Sequence, residues 1–275
     1  MTLSVVVSTY NQPEWLELSL RSLAAQRDRA FRVLVADDGS GPETRARIDR
    51  VSADTGLEVR HVWHENAGFR KSEILNRAIL ESDGEYLVFT DGDCIARPDF
   101  VAAHRALREP GRFLSGGYAK LPAQASAAIG AEDIASGRAT DYLWLRRHGA
   151  PSTRSLRRLA VPAHLAPVFD LLTPTRASFN GHNASAWKRD LEAVNGFNED
   201  MGYGGLDREL GERLENAGVR GKQVRHRDQV VHLDHRRGYR EEAVLRRNRQ
   251  IRDEVAATRR GRAERGLDGH RDQGR

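Results

Sequence analysis

Residues 85–100 read EYLVFTDGDCIARPDF, in which two aspartates one residue apart, Asp91 and Asp93, follow an apolar run. Tyr, Val and Phe favour β-strands, and an uninterrupted apolar run is typical of a strand that is buried on both faces. We therefore predict a strand over residues 86–91 that ends at the carboxylates. Two carboxylates at a strand end have two physical explanations, an Asx turn or a bound divalent cation.

Apolar strands and amphipathic helices alternate along the chain before this stretch. Strands are predicted over residues 3–10, 31–40 and 57–64, and helices over residues 13–26, 41–56 and 70–82. Short connections between continuous apolar strands predict an α/β fold, a mostly parallel sheet flanked by helices on both faces. Ligands of such sheets bind beyond the carboxyl ends of the strands, where the polar residues of this chain are concentrated.

The second half of the chain is less regular. Residues 141–176 contain four prolines and the basic run RSLRRL (154–159), which predicts a loop or a loosely helical insertion. A helix is predicted over residues 208–218, and a long charged helix over residues 240–266. Residues from Leu267 onward are expected to be frayed.

The charge of the chain is unevenly distributed. The net charge is +5, and residues 236–275 carry 13 arginines against 7 acidic residues. This segment has two interpretations, a solvated helix face or a surface for anionic lipid or a polyanionic glycan. The sequence contains no aromatic platform or nucleic-acid motif, so we predict no nucleic-acid partner.

Several features predict a cytoplasmic location. The start, MTLSVVVSTYNQ (1–12), lacks a basic n-region, and the first strand begins too near Met1 to leave room for a signal peptide. No run approaches the roughly 18 apolar residues that a membrane span needs. A single cysteine, Cys94, excludes an intrachain disulfide and fits a reducing compartment.

Five motifs carry a family resemblance in a fixed order. They are VVVSTYNQPEWLELSLRSLAAQ (5–26), VADDGS (35–40), NAGFRKSEILNRAI (66–79), TDGDC (90–94) and FNGHNASAWKRDLEAVNGFNEDMGYGGLDRELGERL (179–214). The first half resembles an inverting family 2 glycosyltransferase of the GT-A fold. The second half resembles the galactosyltransferase-type C-terminal module of chondroitin-polymerase-like enzymes and β-1,4-galactosyltransferases. The resemblance covers roughly residues 2–121 and 177–238.

The resemblance implies a divalent metal at the DGD motif. Its carboxylates are the hard oxygen ligands that Mn²⁺ or Mg²⁺ prefers, and such a metal stabilises charge on a leaving nucleotide diphosphate. In the family, Asp93 would ligate the metal, and Asp91 would contact the ribose or the metal through water. A histidine would complete the site. His232 is our first choice and His235 the alternative, while Cys94 is interpreted as a buried small residue.

The resemblance also implies a pocket for a UDP-sugar. An aspartate of DDGS would accept hydrogen bonds from uracil, although a turn cap is the alternative for this pair. Arg70, at a helix start, would reach a phosphate or the base. The residues predicted to bind the nucleotide-sugar are Thr9, Tyr10, Asn11, Asp37, Asp38, Arg70, Asn76, Asp91 and Gly92. For Lys71, which follows Arg70 in the same motif, surface solvation is the alternative.

Asp207 is predicted to be the general base, with an N-cap as the alternative. An inverting transfer needs one carboxylate to take the proton of the acceptor hydroxyl, and the aspartate aligned here does so in the relatives. The relatives carry Gly-Gly-Glu-Asp, whereas Leu206 replaces the glutamate in this chain. The residues predicted to shape the acceptor or sugar pocket are Gly181, His182, Asn183, Gly205 and Glu209. Trp187 is either core or a sugar platform.

The resemblance implies a metal-dependent inverting transfer of a hexose from a UDP-sugar to a glycan or glycolipid acceptor, in bacterial cell-surface polysaccharide synthesis. Peripheral membrane contact through the basic insertion and tail is expected, since many such acceptors are lipid-linked. The alternative is a non-catalytic nucleotide-sugar-binding scaffold. One GT-A domain is predicted over 1–238, with a nucleotide-binding half (1–121), a variable insertion (122–176) and an acceptor half (177–238), followed by a basic helical tail (239–275).

Overall fold

The computed structural model describes residues 2–235 and 241–271. Its strands are β1 (Leu3–Thr9), β2 (Phe31–Asp37), β3 (Val59–Trp63), β4 (Tyr86–Asp91), β5 (Cys94–Ala96), β6 (Arg112–Ser115), β7 (Gly117–Lys120), β8 (Ala184–Trp187), β9 (Arg220–Gln223) and β10 (Gln229–His232). Its helices are α1 (Pro13–Ala24), α2 (Pro42–Thr55), α3 (Lys71–Glu81), α4 (Phe100–Leu107), α5 (Ala123–Ala127), α6 (Ala131–Ala135), α7 (Tyr142–Arg147), α8 (Arg154–Arg157), α9 (Ala166–Leu172), α10 (Lys188–Ala193), α11 (Leu206–Asn216), α12 (Glu242–Thr258) and α13 (Asp268–Arg271).

The strands of the described residues form a large sheet and a small one. The large sheet has the order β3-β2-β1-β4-β8-β6-β9, and the small one the order β5-β10-β7. Strands β1 to β4 are mutually parallel, and β8 runs antiparallel between β4 and β6. The predicted α/β fold with a mostly parallel sheet is therefore confirmed.

The apolar runs are continuous because both faces of the sheet are covered. All seven residues of β1 are buried. Val6 belongs to the core cluster that contains α3 and α11, whereas Val5 and Val7 belong to the opposite cluster with α1. Alternate side chains of a strand point to opposite faces, so a strand between two cores has no solvated position.

Strand register determines which polar residues meet at one edge. Thr9 pairs with Asp37, and Ser8 pairs with Asp91, so β1, β2 and β4 end side by side. In the small sheet β10 is antiparallel to β5, and His232 lies opposite Cys94. The late strand β10 thereby brings its histidine to the DGD turn.

The insertion is built from short helices rather than open loops. Helices α5 to α9 are each four to seven residues long. Apolar side chains of α5 to α8 form a third core cluster with β7 and β10, against which Trp15 and Leu18 of α1 are packed. Of the helices in residues 2–235 and 241–271, none combines the length and apolar character that a membrane crossing requires.

The predicted long C-terminal helix is present, but the predictions that it extends to residue 266 and that the chain is frayed from Leu267 are wrong. Helix α12 ends at Thr258, where Arg259 has a φ of 53°. The chain then folds back, and the Ala263 amide donates to the Val194 carbonyl at 3.1 Å. Leu267 is fully buried in the core, so its burial offsets the entropy of ordering the terminus. The predicted helix start at residue 240, the boundary at 238/239 and residues 272–275 lie outside the described residues.

Candidate active site

A carboxylate and two histidines converge beyond the end of β4. The Asp93 carboxylate lies 2.7 Å from Nε2 of His235 and 3.6 Å from Nε2 of His232. Ligand atoms of Asp93, Cys94 and His232 all lie within 4.8 Å of one another. The two imidazole rings are stacked, with centroids 5.4 Å apart. The structure thus brings both candidate histidines to Asp93.

The donor atoms of this cluster fit a divalent cation. Nδ1 of His232 lies 2.7 Å from the Leu233 carbonyl, so a proton on Nδ1 leaves the Nε2 lone pair directed towards Asp93. Burial, and then the Asp93 charge, raise the pKa of the Cys94 thiol well above its usual range. A protonated thiol is a poor ligand, so the donors are one carboxylate and two imidazoles, a set that suits Mn²⁺ better than a soft metal.

Asp91 has different partners from Asp93. Its Oδ1 accepts a hydrogen bond from Ser8 Oγ at 2.6 Å and from Lys71 Nζ at 2.7 Å. Burial alone would raise the pKa of Asp91, but the Lys71 ammonium outweighs it and lowers the pKa below the usual range. Conversely, the Asp91 and Asp207 charges outweigh burial and raise the pKa of Lys71. Asp91 is therefore a fixed anion with a fixed cation beside it.

Lys71 is the main site residue that is absent from the predicted set. It is not a solvated surface residue, because it is the first residue of α3 and its ammonium contacts Asp91 directly. A helix that follows a parallel strand starts at the carboxyl edge of the sheet, so a residue at its first turn faces the ligand edge. That placement was the available signal.

Asp207 lies in the first turn of α11, after Gly205 in the left-handed region with a φ of 87°. A Cβ on Gly181 would lie 2.7 Å from Asp207 Oδ1, so only glycine permits this approach. Oδ1 is buried without a hydrogen-bond partner within the described residues. Burial raises the pKa of Asp207, although the Lys71 charge opposes the shift. The result is an acceptor oxygen held close to the cluster and unpaired.

His182 and Tyr118 lie beside the cluster, where the Tyr118 ring is 6.1 Å from that of His232. Their rings lie 4.2 Å apart, and Tyr118 is 41% exposed. Burial lowers the pKa of His182 to about 4, so its imidazole is neutral at neutral pH. Tyr118 lies on β7 and is not part of the predicted site. Only the pairing of β7 with β10 brings it to the site, and no sequence motif indicates that pairing.

The DDGS turn is occupied by protein partners. Asp37 is fully buried, with its carboxylate 2.9 Å from His61 Nε2 and accepting the Ser40 amide at 2.9 Å. Asp38 lies 2.8 Å from His64 Nε2 and accepts the Arg70 amide at 3.0 Å. Burial raises the pKa of Asp38 despite these partners. The assignment of Asp37 to the nucleotide pocket is corrected, since it caps the turn.

Residues after β1 form the outer wall of this region. Asn11 has a φ of 47°, and its side chain accepts the Gly41 amide at 3.1 Å. The Tyr10 hydroxyl accepts from Asn66 Nδ2 at 2.9 Å, and Thr9 is nearly buried at the strand end. A Cβ on Gly92 would lie 3.2 Å from the Ser8 carbonyl, so Gly92 lets the DGD turn pack against β1.

Arg70 precedes α3 and is only partly satisfied. Its guanidinium pairs with Glu73 at 3.3 Å and contacts the Glu65 carbonyl, while Nε is buried without a partner in the described part of the chain. The same loop carries its backbone amide to Asp38. Arg70 therefore links the DDGS turn to the start of α3.

Three predicted pocket residues are fully buried and satisfied by protein, which removes them from the ligand surface. Asn76 donates to the Phe197 carbonyl at 2.9 Å and to Glu199 at 2.8 Å. Asn183 donates to the Gly117 carbonyl at 3.0 Å.

Glu209 is the third. It forms a bidentate ion pair with buried Arg213, with both N–O distances at 2.8 Å. Asn76 and Asn183 connect elements that are distant in sequence, whereas Arg213 lies one turn along the same helix from Glu209.

Leu206 and Trp187 are also explained by packing. Leu206 is 4% exposed and belongs to the core beneath α11. Trp187 packs edge-on against Tyr86, at a centroid distance of 5.2 Å, and donates to the Glu109 carbonyl. Trp187 thus belongs to the core at the far end of β8.

Family models match both halves of the chain. The model described as glycosyl transferase family 2 matches residues 4–107, and the one described as the N-terminal domain of galactosyltransferase matches residues 169–236. The chain belongs to the family 2 glycosyltransferases and has the GT-A fold. Within that family, it is one whose second half is of the galactosyltransferase type.

Known proteins agree with this placement. Validoxylamine A glucosyltransferase of Streptomyces hygroscopicus subsp. jinggangensis is 32% identical over 230 residues, which are 79% of this chain and 52% of the relative. The chain spans about half the length of the curated relatives that it matches first. Hyaluronan synthase of Pasteurella multocida is 29% identical over 105 residues, which are 38% of this chain and 11% of the synthase.

Solved structures agree on the fold. Staphylococcus aureus TarS in complex with UDP-GlcNAc superposes with a TM-score of 0.63 at 17% identity, covering 99% of this chain and 70% of that one. The mannosyltransferase PcManGT of Pyrobaculum calidifontis, in complex with GDP-Man and Mn²⁺, gives a TM-score of 0.60 at 21% identity, covering 95% of this chain and 65% of that one.

Proposed function

We propose that the chain transfers a hexose from a UDP-sugar to a glycan or glycolipid acceptor, with inversion and with a divalent metal. The observation that carries the proposal is the unpaired Oδ1 of Asp207. Its carboxylate and that of Asp93, which lies against His232 and His235, both act on the charge of Lys71. A relative that is a glucosyltransferase supports the reaction class. Structural neighbours in complex with UDP-GlcNAc, or with GDP-Man and Mn²⁺, support it as well.

Asp93, His232 and His235 would hold the metal, which is Mn²⁺ or Mg²⁺. When bound, it would act as a Lewis acid that stabilises negative charge on the leaving diphosphate. Asp91, fixed by Lys71, would orient the donor through its ribose or through a water molecule. Lys71 also keeps the local charge balanced, since three carboxylates contribute to its raised pKa.

Asp207 would act as the general base. Its unpaired Oδ1 would accept the proton of the acceptor hydroxyl as that oxygen attacks the anomeric carbon. Attack from the face opposite the phosphate inverts the configuration. Gly181 and Gly205 would leave the space that this approach requires, and neutral His182 would line the sugar pocket together with Tyr118.

The nucleoside would lie against the wall after β1. Asp38 is the remaining aspartate of DDGS for the base, and the charge of Arg70 acts on it. The other proposed donor contacts are Thr9, Tyr10, Asn11, Asp91 and Gly92. Because one structural relative is a complex with GDP-Man and another with UDP-GlcNAc, the nucleotide is a point for experiment.

The proposed biological role is bacterial cell-surface polysaccharide synthesis at the cytoplasmic face of the membrane. Poly(ribitol-phosphate) β-N-acetylglucosaminyltransferase TarS, which is 32% identical over 95 residues, supports an acceptor of this kind. We retain one catalytic domain over residues 1–238 with a tail after it. The scaffold alternative rested on Leu206, and burial of Leu206 in the core leaves it without support.

Product analysis tests the proposal. The chain is incubated with Mn²⁺, an acceptor panel and each of UDP-glucose, UDP-galactose and UDP-N-acetylglucosamine, with GDP-mannose for comparison. We expect UDP release and a β-linked product from an α-linked donor, read by the anomeric coupling constant in NMR. Pyrophosphate release, or retention of configuration, would contradict the proposal.

A further inference from the structure

A second concave site lies in the insertion, away from the candidate active site. It has a volume of about 260 Å³ and is lined by arginines of α8 and by residues after α9. We call it the arginine pocket, and its defining residues are Arg154, Arg157, Arg158, Phe169, Thr173 and His226. Arg225 flanks it, since its charge acts on Arg158.

The cations of this pocket have no counterion of their own. Within residues 2–235 and 241–271, no ion pair involves Arg154, Arg157, Arg158 or Arg225. The nearest acid, Asp170, is already shared between His226 at 3.0 Å and Arg227 at 2.7 Å.

Two of these guanidinium groups also have a buried nitrogen without a partner in the part of the chain that the structure describes. Nε of Arg158 and Nε of Arg225 are inaccessible and make no hydrogen bond within the described residues. Burial, followed by the charges of Arg225 and Arg154, lowers the pKa of Arg158. Buried donors without acceptors cost free energy, so an anion in this pocket would remove a penalty that the fold carries.

An apolar ridge adjoins the arginine pocket. It consists of Leu165, Val168, Phe169, Leu171 and Leu172 on and just before α9. Leu171 is 84% exposed and Leu172 is 71% exposed, while Asp170 of the same helix points into the protein. Five large apolar side chains within eight residues form a patch of the type that binds an apolar phase.

The basic tail offers no comparable site among its described residues. Several of its arginines are neutralised, with Arg252 paired to Glu212, Arg262 to Asp268 and Arg265 to Asp200. Arg246, Arg247 and Arg249 of the tail are exposed to solvent. The insertion and the adjoining Arg225 instead hold buried guanidinium nitrogens that lack partners among the described residues.

We propose that the arginine pocket binds the phosphate of an anionic lipid while the apolar ridge inserts among the acyl chains. Guanidinium forks match phosphate oxygens, and a basic cluster beside apolar side chains is the signature of an anionic membrane surface. The pocket residue His226 lies just before β10, and His232 is the last residue of that strand. From Gln229 to His232 the strand spans about 10 Å. Only the reason for this docking, access to a lipid-linked acceptor, rests on the proposed function.

Vesicle co-sedimentation tests the inference without donor or metal. The wild-type chain is mixed with vesicles of phosphatidylcholine, with or without phosphatidylglycerol, and with inorganic phosphate as a soluble competitor. The pocket variant is Arg158→Gln/Arg225→Gln, and the ridge variant is Leu171→Ser/Leu172→Ser. Arg29→Gln/Arg50→Gln removes the same charge from an exposed surface elsewhere and is the matched control.

We expect binding only to vesicles that contain phosphatidylglycerol, weakened about 30-fold in the pocket variant. The ridge variant should also bind less, and the control variant should bind as wild type does. All variants should keep the wild-type circular dichroism spectrum and UDP release with a soluble acceptor, which separates this inference from the proposed function.

Three results would overturn the inference. Wild-type protein could fail to bind the anionic vesicles. The control variant could lose as much binding as the pocket variant, which would mean that net charge alone acts. Inorganic phosphate could raise the melting temperature of the wild type and not that of the pocket variant, with no vesicle binding, and the ligand would then be a soluble phosphate.

Discussion

Two acidic turns flank β1, and they share a sequence pattern but not a role. DDGS (37–40) follows β2, and DGDC (91–94) begins at the end of β4. In the first turn, Asp37 and Asp38 are held by His61, His64 and backbone amides. The Asp37 carboxylate is therefore committed to the protein, and Asp38 is left as the proposed contact for the base.

In the second turn, Asp91 meets a lysine and Asp93 meets two histidines. The aspartates alone do not distinguish the two turns. The partners do, and the partners of Asp93 arrive only through the pairing of β10 with β5. Carboxylates at a strand end become a candidate metal site when a later element places two imidazoles beside one carboxylate.

Asp93→Asn should have the largest effect. Loss of the only carboxylate in the metal cluster should lower kcat by about 10³-fold, because the Lewis acid contributes several kcal/mol. UDP release at saturating donor and Mn²⁺ measures the effect, with circular dichroism to verify the fold. Full activity in this variant would remove Asp93 from the metal site and erase the contrast between the turns.

Asp207→Asn should follow closely. The amide cannot take the acceptor proton, so kcat should fall by about 10²- to 10⁴-fold. The KM for the donor should change little, since Asp207 acts on the acceptor. Single-turnover kinetics with preloaded donor separates the two parameters. A kcat near that of the wild type would assign the base elsewhere.

Lys71→Met should have an intermediate effect and a pH signature. The rate should fall by about 10- to 100-fold, as for other residues that orient an essential group. The Lys71 charge lowers the pKa of Asp207, so its removal should raise that pKa. The base works only when deprotonated, and the acidic limb of kcat/KM should therefore move to higher pH. An unmoved or downward-shifted limb would contradict the electrostatic role.

Asp37→Asn should have the smallest effect on catalysis and a visible effect on stability. Weakening its bonds to His61 and the Ser40 amide should lower the free energy of unfolding by about 1–3 kcal/mol. Activity per folded molecule should stay at the wild-type level. Urea unfolding and an active-site titration measure the two quantities. Lost activity with unchanged stability would reverse the roles assigned to the turns.

The fold was largely predictable because its evidence is local. The predicted strand over 86–91 has the same bounds as β4. A strand that is buried on both faces is recognisable because its residues form a nearly continuous apolar run. The bend after Thr258 was not predictable from the local sequence, which is charged and favours a helix. The bend depends on the packing of Leu267 into a core formed by distant residues. Local propensity was overruled there by tertiary burial.

Site residues were predictable where a family motif lies at the carboxyl edge of the sheet. They were less predictable where burial determines whether a side chain can reach a ligand. Asp93, His232 and Asp207 come together as their positions suggested. Asn76 and Glu209 were assigned to the pocket because polar residues in a family motif look functional. Their partners, Phe197 and Arg213, satisfy them inside the protein. Whether a polar residue faces a ligand or the core depends on contacts that no short pattern contains.

Calorimetric titration of UDP tests the central claim most directly, with Mn²⁺ and then with a chelator, on the wild type and on Asp93→Asn. The account predicts tight binding to the wild type that depends on Mn²⁺, and weak binding to Asp93→Asn that Mn²⁺ does not improve. Equal UDP affinity of the wild type with Mn²⁺ and with chelator, or undiminished Mn²⁺-dependent binding in Asp93→Asn, would contradict a metal-held donor at the DGDC turn.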